Sequence, residues 1–273
     1  MVVQHNMQAA NANRMLGMNV KAVSKSAEKL SSGYKVNRAA DDAAGLSISE
    51  KMRNQIRGLN QAVSNAEDGQ YLIQTAEGNL NEIHSILQRM GELATKAAND
   101  VNDSVDRDAI KDEIVQLRHE ISGIQTKAEF NGKKLLDGSM TTDLKLQVGA
   151  KSGQSMSIDL KKSIISTMGT GVFTGAVSTH ATASKLMTDV TAAIKKVSAK
   201  RSELGAIQNR LDYTINNLEN YSENLTASEA NIRDTDMATE MMNFTKQNIL
   251  TQASQSMLAQ ANQLPQSVLS LLQ

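Results

Sequence analysis

From Met52 to Ala97 the apolar residues keep a single phase. Met52, Ile56, Leu59, Val63 and Ala66 alternate four and three residues apart, and Gln70 then occupies one slot with a polar side chain. Beyond it, Ile73, Ala76, Leu80, Ile83, Leu87, Met90, Ala94 and Ala97 continue the alternation. Only a helix returns side chains to one face at that spacing, and a seam this regular needs another helix against it. At 1.5 Å per residue the seam would run roughly 70 Å. A compact domain would be far narrower, so the expected molecule is a rod. The composition agrees: aromatics are 3% with no Trp, so thin seams between helices are favoured over a thick centre. The one proline, Pro265, leaves the long helices unbroken. Gly58, Gly69, Gly78 and Gly91 each weaken the seam helix by up to ~1 kcal/mol relative to Ala without ending it.

A polar break at Asn99–Ser104 reverses the chain. A second helix then carries Ile110, Ile114, Leu117, Ile121, Ile124 and Ala128, ends before the Asn131-Gly132 turn signal, and should pack antiparallel to the first. The period next changes to two. Leu144, Leu146 and Val148, then Met156, Ile158 and Leu160, predict a β-hairpin near 143–160 with one covered face. Residues 163–183, rich in Ser, Thr, Gly and Ala, read as a short variable connection. A third long helix holds Leu186, Val190, Ile194, Val197, Leu204, Leu211, Ile215, Leu218, Leu225 and Ile232.

The chain ends are weaker. Leu16, Val20, Val23, Ala27 and Leu30 form a narrow stripe that alone would be a marginal helix. At the other end, an amphipathic segment from Met237 runs through Leu258, Leu264, Val268 and Leu269 to Leu272, an apolar finish that calls for a partner. If the bundle brings the ends together, the two weak helices can support each other, most readily in a polymer. The hinge Lys29–Leu46 separates the first weak helix from the strong one and holds Ser31-Ser32-Gly33 and Asp41-Asp42. Its acids read as helix caps, or as partners of Arg38, rather than as paired catalytic carboxylates.

Lys plus Arg and Asp plus Glu both total 29. Long-range steering to nucleic acid or anionic lipid is therefore not expected, whereas near-zero charge suits self-association. The absence of Cys removes disulfide, thiolate and cysteine–metal chemistry. The start Met1–Met7 shows no basic and apolar leader, so no cleaved secretory signal is expected, and no stretch reaches the length of a membrane span. His119-Glu120 begins like a zinc-protease motif, but Gly123 stands where its second His belongs. No phosphate loop or nucleophile elbow occurs, so neither enzyme, cofactor nor metal site is expected.

Several runs together resemble bacterial flagellin. They are Leu30–Gly33 with Asn37–Gly45, Leu87–Ala94, Phe130–Leu136, Leu146–Gly149, Arg201–Leu211, Asn231–Glu240 and Leu258–Leu272. They cover roughly residues 8–160 and 186–273, in order. The resemblance implies a mainly α fold: an elongated antiparallel long-helix bundle with a small β-hairpin, plus terminal helices forming a coiled-coil inner domain. It implies that residues 1–42 and 231–273 make the inner core, and 43–230 the helical rod, with no room for large outer domains. The hinge would then join two radial layers of a tube. The implied function is a self-polymerising filament subunit, exported unfolded through the flagellar type III apparatus to the extracellular filament. Its partners would be copies of itself, an export chaperone and a cap protein. Leu16, Val20, Val23, Leu30, Leu258, Leu264, Val268, Leu269 and Leu272 are the polymerisation candidates.

The family also implies recognition by host Toll-like receptor 5 through Gln88, Arg89, Glu92 and Leu93, with Glu113 on the facing helix. Gly91 stands where the family usually has Arg, which removes a multidentate contact and loosens the helix. The alternative is a hook–filament junction protein, which shares the terminal helices; the Leu87-Gln88-Arg89 run and the Leu264-Pro265-Gln266 close favour flagellin.

Overall fold

The computed structural model describes residues 6–138, 143–159 and 177–271, with side chains given up to residue 263 of the last stretch. The elements are α1 (Met7–Ser32), α2 (Ala43–Ala97), α3 (Ser104–Lys127), β1 (Glu129–Phe130), β2 (Lys133–Lys134), β3 (Leu144–Gln147), β4 (Ser155–Ile158), α4 (His180–Arg233) and α5 (Met237–Leu271). They fall into two compact units: residues 1–55 with 223–273, and residues 56–222.

The second unit holds the main core, a set of seams between its helices. The seam faces inward as its spacing predicts: Ile73, Ala76, Leu80, Ile83, Leu87, Met90, Ala94 and Ala97 are fully buried. Ile110, Ile114 and Ile121 of α3 and Leu186, Val190, Val197, Leu204 and Leu211 of α4 close over them. Polar contacts fix an antiparallel register between α2 and α4: Ser222 Oγ donates to Asn60 Oδ1 at 2.9 Å, and Gln70 Nε2 to Asp212 Oδ1 at 2.9 Å. Farther along, Arg201 pairs with Glu77 at 3.7 Å. The polar slot at Gln70 thus sits at the solvent-exposed edge of the seam, where its amide meets Asp212 in the same register.

β3 and β4 pair antiparallel, Leu144 with Ile158 and Leu146 with Met156. Met156 and Ile158 are buried, Leu144 and Leu146 are partly buried against the core, and Leu160 lies outside the described residues. The hairpin sits on α2 at two glycines. A Cβ on Gly58 would lie 2.8 Å from Ala150 Cβ, and one on Gly69 would run into Leu146. The expected turn at Asn131-Gly132 also makes a second small hairpin, β1–β2. Both turn residues have positive φ, 49° and 74°, which Asn and Gly tolerate. Of the connection expected over 163–183, residues 163–176 lie outside the described residues. Its last four residues are already helix, and Ala183 is fully buried. The earlier start follows from reciprocal capping: Thr179 N–H donates to Thr182 Oγ1 at 3.0 Å, and Thr182 N–H to Thr179 Oγ1 at 3.3 Å.

The first unit has little interior. Among its described residues with apolar side chains only Val36 and Ala261 are buried, with Ser26 and Ser49 the buried polar residues. α1 ends at Gly33, whose left-handed φ of 75° lets its N–H reach Lys29 O at 2.9 Å. Asp42 Oδ1 accepts from Gly45 N at 2.9 Å and so caps α2. The ion pairs of the hinge differ from expectation. Asp41 pairs with Lys25 at 2.7 Å and Arg38 with Glu28 at 2.9 Å, so Arg38 offers Asp41 only its backbone N–H, at 3.2 Å. The hinge folds beside the last turns of α1, where Lys25 and Glu28 offer better-placed charges than the near neighbour in sequence.

Candidate functional site

Two surfaces hold the residues singled out by sequence. The first is the α1–α5 pair. Its helices run antiparallel, with Lys29 4.0 Å from Glu240 near one end and Asn6 Nδ2 donating to Ala261 O at 2.7 Å near the other. Between them Asn19 Nδ2 donates to Ser254 Oγ at 2.9 Å. These contacts set the register of a seam too weakly apolar to set it alone. Where the helices meet the hinge, Tyr34 and Asp234 form a β-bridge, Lys35 N donates to Arg233 O at 2.6 Å, and Thr235 N donates to Gly33 O at 2.9 Å. The Arg233 guanidinium lies 4.5 Å over the Tyr34 ring.

Asp236 then starts α5. It accepts from Thr239 Oγ1 at 2.8 Å and from the Ala238 and Thr239 amides at 3.0 and 3.3 Å. Those donors, the Thr239 hydroxyl foremost, hold its carboxyl below the ordinary 3.8. Asp41 is lowered as well, chiefly by the hydrogen bond from Lys25 and then by the Arg38 amide.

Leu16, Val23, Leu30 and Leu258 are half-buried along the seam, and Val20 is largely exposed. The side chains of Leu264, Val268 and Leu269, and all of Leu272, lie outside the described residues. What the sequence pattern missed is that much of the apolar surface of the pair, including Met237, Met241, Ile249 and Met257 of the expected α5 stripe, stays uncovered. Met7, Met15, Met18, Met237, Met241, Met242, Ile249, Leu250 and Met257 are all exposed, Met7 at 74% and Ile249 at 61%. Part of this surface borders a groove of about 620 Å³, lined among others by Ala12, Met15, Leu250, Ala253 and Met257. A 3.6-residue period shows that a helix has an apolar stripe; it cannot show how much of that stripe finds no partner within the chain.

The second surface is on α2 and α3. Arg89 Nε and Nη2 both donate to Glu113 Oε1, at 3.1 and 3.0 Å, and Nη1 donates to Glu92 Oε2 at 3.1 Å. Glu113, then Glu92, raise the Arg89 pKa above its ordinary value. The shared pairs fix the guanidinium between two helices at the surface. Gln88 is exposed and contacts His84 at 3.2 Å, while Leu93 is buried in the core. A Cβ on Gly91 would meet only Val190 Cγ1, at 3.7 Å, an ordinary contact. Among the described residues no cluster of three acidic or histidine side chains could hold a metal ion, and no helix is long and apolar enough to cross a membrane.

A family model described as the bacterial flagellin N-terminal helical region matches residues 3–141. The corresponding C-terminal helical region matches residues 187–272. The chain is 54% identical over 272 residues to a flagellin of Halalkalibacterium halodurans, covering all of both chains. It is 47% identical over 305 residues to a flagellin of Bacillus subtilis, again covering all of both. Among solved structures it is similar to Bacillus cereus flagellin, 35% identical with a TM-score of 0.50, over 57% of this chain and 88% of that one.

Proposed function

Because the chain belongs to the bacterial flagellin family, whose members are structural proteins rather than enzymes, we propose how this subunit builds the extracellular flagellar filament. Self-polymerisation uses the α1–α5 pair, with residues 1–42 and 231–273 as the core-forming part and 43–230 as the outer helical part. The observation that carries this is the exposed apolar surface of the pair, which spans Met7 to Val20 on α1 and Met237 to Met257 on α5, helices with almost no interior of their own. Such a surface is a liability for a lone subunit and is relieved when other copies cover it. Leu16, Val23, Leu30 and Leu258 hold the pair together, the exposed Val20 is free to meet another copy, and the sequence offers Leu264, Val268, Leu269 and Leu272 for the same use.

The thin interior of this unit also suits export in an unfolded state through the flagellar type III apparatus. There an export chaperone would cover α5, and a cap protein would guide assembly. The test is seeded growth followed by electron microscopy. The full chain should extend seeds into long filaments, whereas a chain lacking residues 258–273 should not, although its second unit melts normally. Growth that stops at short stubs would favour a junction protein, and normal filaments from the truncated chain would remove α5 from the mechanism.

The Arg89 surface fits recognition by host Toll-like receptor 5. Gln88, Arg89, Glu92 and Glu113 present one fixed polar patch, and Leu93 is held in the core. Gly91 leaves the patch one guanidinium short. The Gly91→Arg chain, whose new Cβ the packing admits, should signal at lower dose in receptor-bearing reporter cells. An unchanged dose–response would count against this surface.

A further inference from the structure

The thioethers of this protein are divided between its two units in an unusual way. Among the described residues seven methionines are exposed, Met7, Met15, Met18, Met237, Met241, Met242 and Met257, and all seven lie on α1 and α5. In the other unit Met90 is fully buried, Met156 is 8% exposed, and Met187 is partly buried against the core. Met52 on α2 is half-buried, so among the described residues the fully exposed thioethers all lie on the two helices proposed above to assemble.

We infer that α1 and α5 carry a reversible peroxide-modification site, and that oxidation of the exposed methionines holds the free subunit out of the filament. The inference rests on the filament reading above. Peroxide transfers one oxygen atom to the sulfur lone pair. The thioether becomes a sulfoxide with no carbon–sulfur bond broken, the sulfur loses two electrons, and the peroxide is reduced to water. Two thiols reverse the change, leaving a disulfide and a second water, in the manner of a sulfoxide reductase.

The physical consequence follows from where these side chains lie. Met15 and Met257 line the groove with Leu250, and Met242 stands with Ile249 on α5. A sulfoxide there presents a strong hydrogen-bond acceptor, which a neighbouring subunit would have to bury among methyl groups without a donor. In the free subunit the same oxygen is simply hydrated. Oxidation thus costs the monomer little and the contact much. Once the contact has formed the sulfur is covered, so an assembled filament is protected.

The test exposes free subunits and preformed filaments of the full chain to hydrogen peroxide, maps one-oxygen mass gains by peptide mass spectrometry, and measures seeded growth. In free subunits Met18, Met242 and Met257 should oxidise at least about tenfold faster than Met90 and Met156, the ratio that ~1.4 kcal/mol of opening free energy imposes on a buried site. The oxidised chain should need at least about tenfold more protein to extend seeds, or ~1.4 kcal/mol of lost contact. Methionine sulfoxide reductase with dithiothreitol should restore growth, and filaments should gain oxygen far more slowly than subunits.

A chain with Met15→Leu, Met242→Leu and Met257→Leu, close in volume and apolar, should extend seeds with or without peroxide. Equal oxidation at Met90 and Met242, or undiminished growth of the oxidised chain, overturns the inference while leaving the filament reading intact. Failure of the untreated chain to extend seeds overturns that reading, and the effect on assembly falls with it.

Discussion

Asp42 and Asp236 each open a helix, and what stands three residues on decides how each cap works. After Asp236 comes Thr239, whose hydroxyl and amide both donate to the carboxylate. After Asp42 comes Gly45, where a Cβ would lie only 2.8 Å from the carboxylate carbon. Gly45→Ala therefore sets two effects against each other. Alanine gains up to ~1 kcal/mol of helix propensity, and displacing the cap costs up to ~2 kcal/mol. The cap should win, and the urea midpoint of the first unit should fall by the equivalent of about 1 kcal/mol. The acids also predict a pH dependence. Asp41 and Asp236 have pKa values below the ordinary 3.8, so their native contacts bind fewer protons than the unfolded chain does. Their stabilisation is fully present above about 3.8 and is lost as the pH falls through the lowered values. Circular dichroism during acidification should show α1 and α5 losing helix in that range, and Asp236→Asn should flatten the loss. The Asp42 cap could be read from residue type alone. The partners of Asp41 could not, because Lys25 and Glu28 approach the hinge only after it folds back beside α1.

At the scale of elements, α2 shows how far a pattern reaches. Its buried stripe was legible because each apolar residue repeats at the helical period, and the β3–β4 hairpin because its period is two. The seating of one on the other was not. Gly58 and Gly78 look alike in the sequence, as helix-weakening glycines. In the fold a Cβ on Gly58 would lie 2.8 Å from Ala150 Cβ and 3.3 Å from its Cα, whereas one on Gly78 meets nothing within 4 Å. The same substitution should thus have opposite signs. Gly78→Ala should stabilise the second unit by up to ~1 kcal/mol through helix propensity. Gly58→Ala gains the same propensity but must push backbone, an overpacking cost of about 1–3 kcal/mol, so a net loss is expected. Thermal melts of the two variants check this, and a gain in both would mean that the hairpin yields freely. β1–β2 and the first turn of α4 escaped the pattern for a simpler reason. Two-residue strands cannot show alternation, and a cap made by Thr179 and Thr182 carries no apolar signal.

For the whole molecule the contrast that matters is between a unit with an interior and one without. Ile73 to Ala97 on α2 contribute a run of fully buried side chains, while α1 and α5 share a seam pinned largely by Asn6, Asn19 and Lys29. That both chain ends carry weak helices able to support each other was legible from their narrow stripes. That much of their apolar surface stays uncovered was not, because exposure is a property of the folded pair. Burial of apolar side chains supplies most of the free energy that keeps a helix closed. The amides of α1 and α5 in the free subunit should therefore exchange with solvent through frequent local opening, and those of α2 from Ile73 to Ala97 only through rarer, larger openings. On the proposed assembly only the first class changes, because burial is added to α1 and α5 and little to a core that is already closed. Hydrogen exchange on subunit and filament should then show protection of α1 and α5 rising by at least about a hundredfold, a coupling of ~2.7 kcal/mol, with the α2 segment barely changed. Equal protection of both classes in the free subunit would mean that the α1–α5 pair is stable by itself, and that its exposed methyl groups do not supply the drive to polymerise.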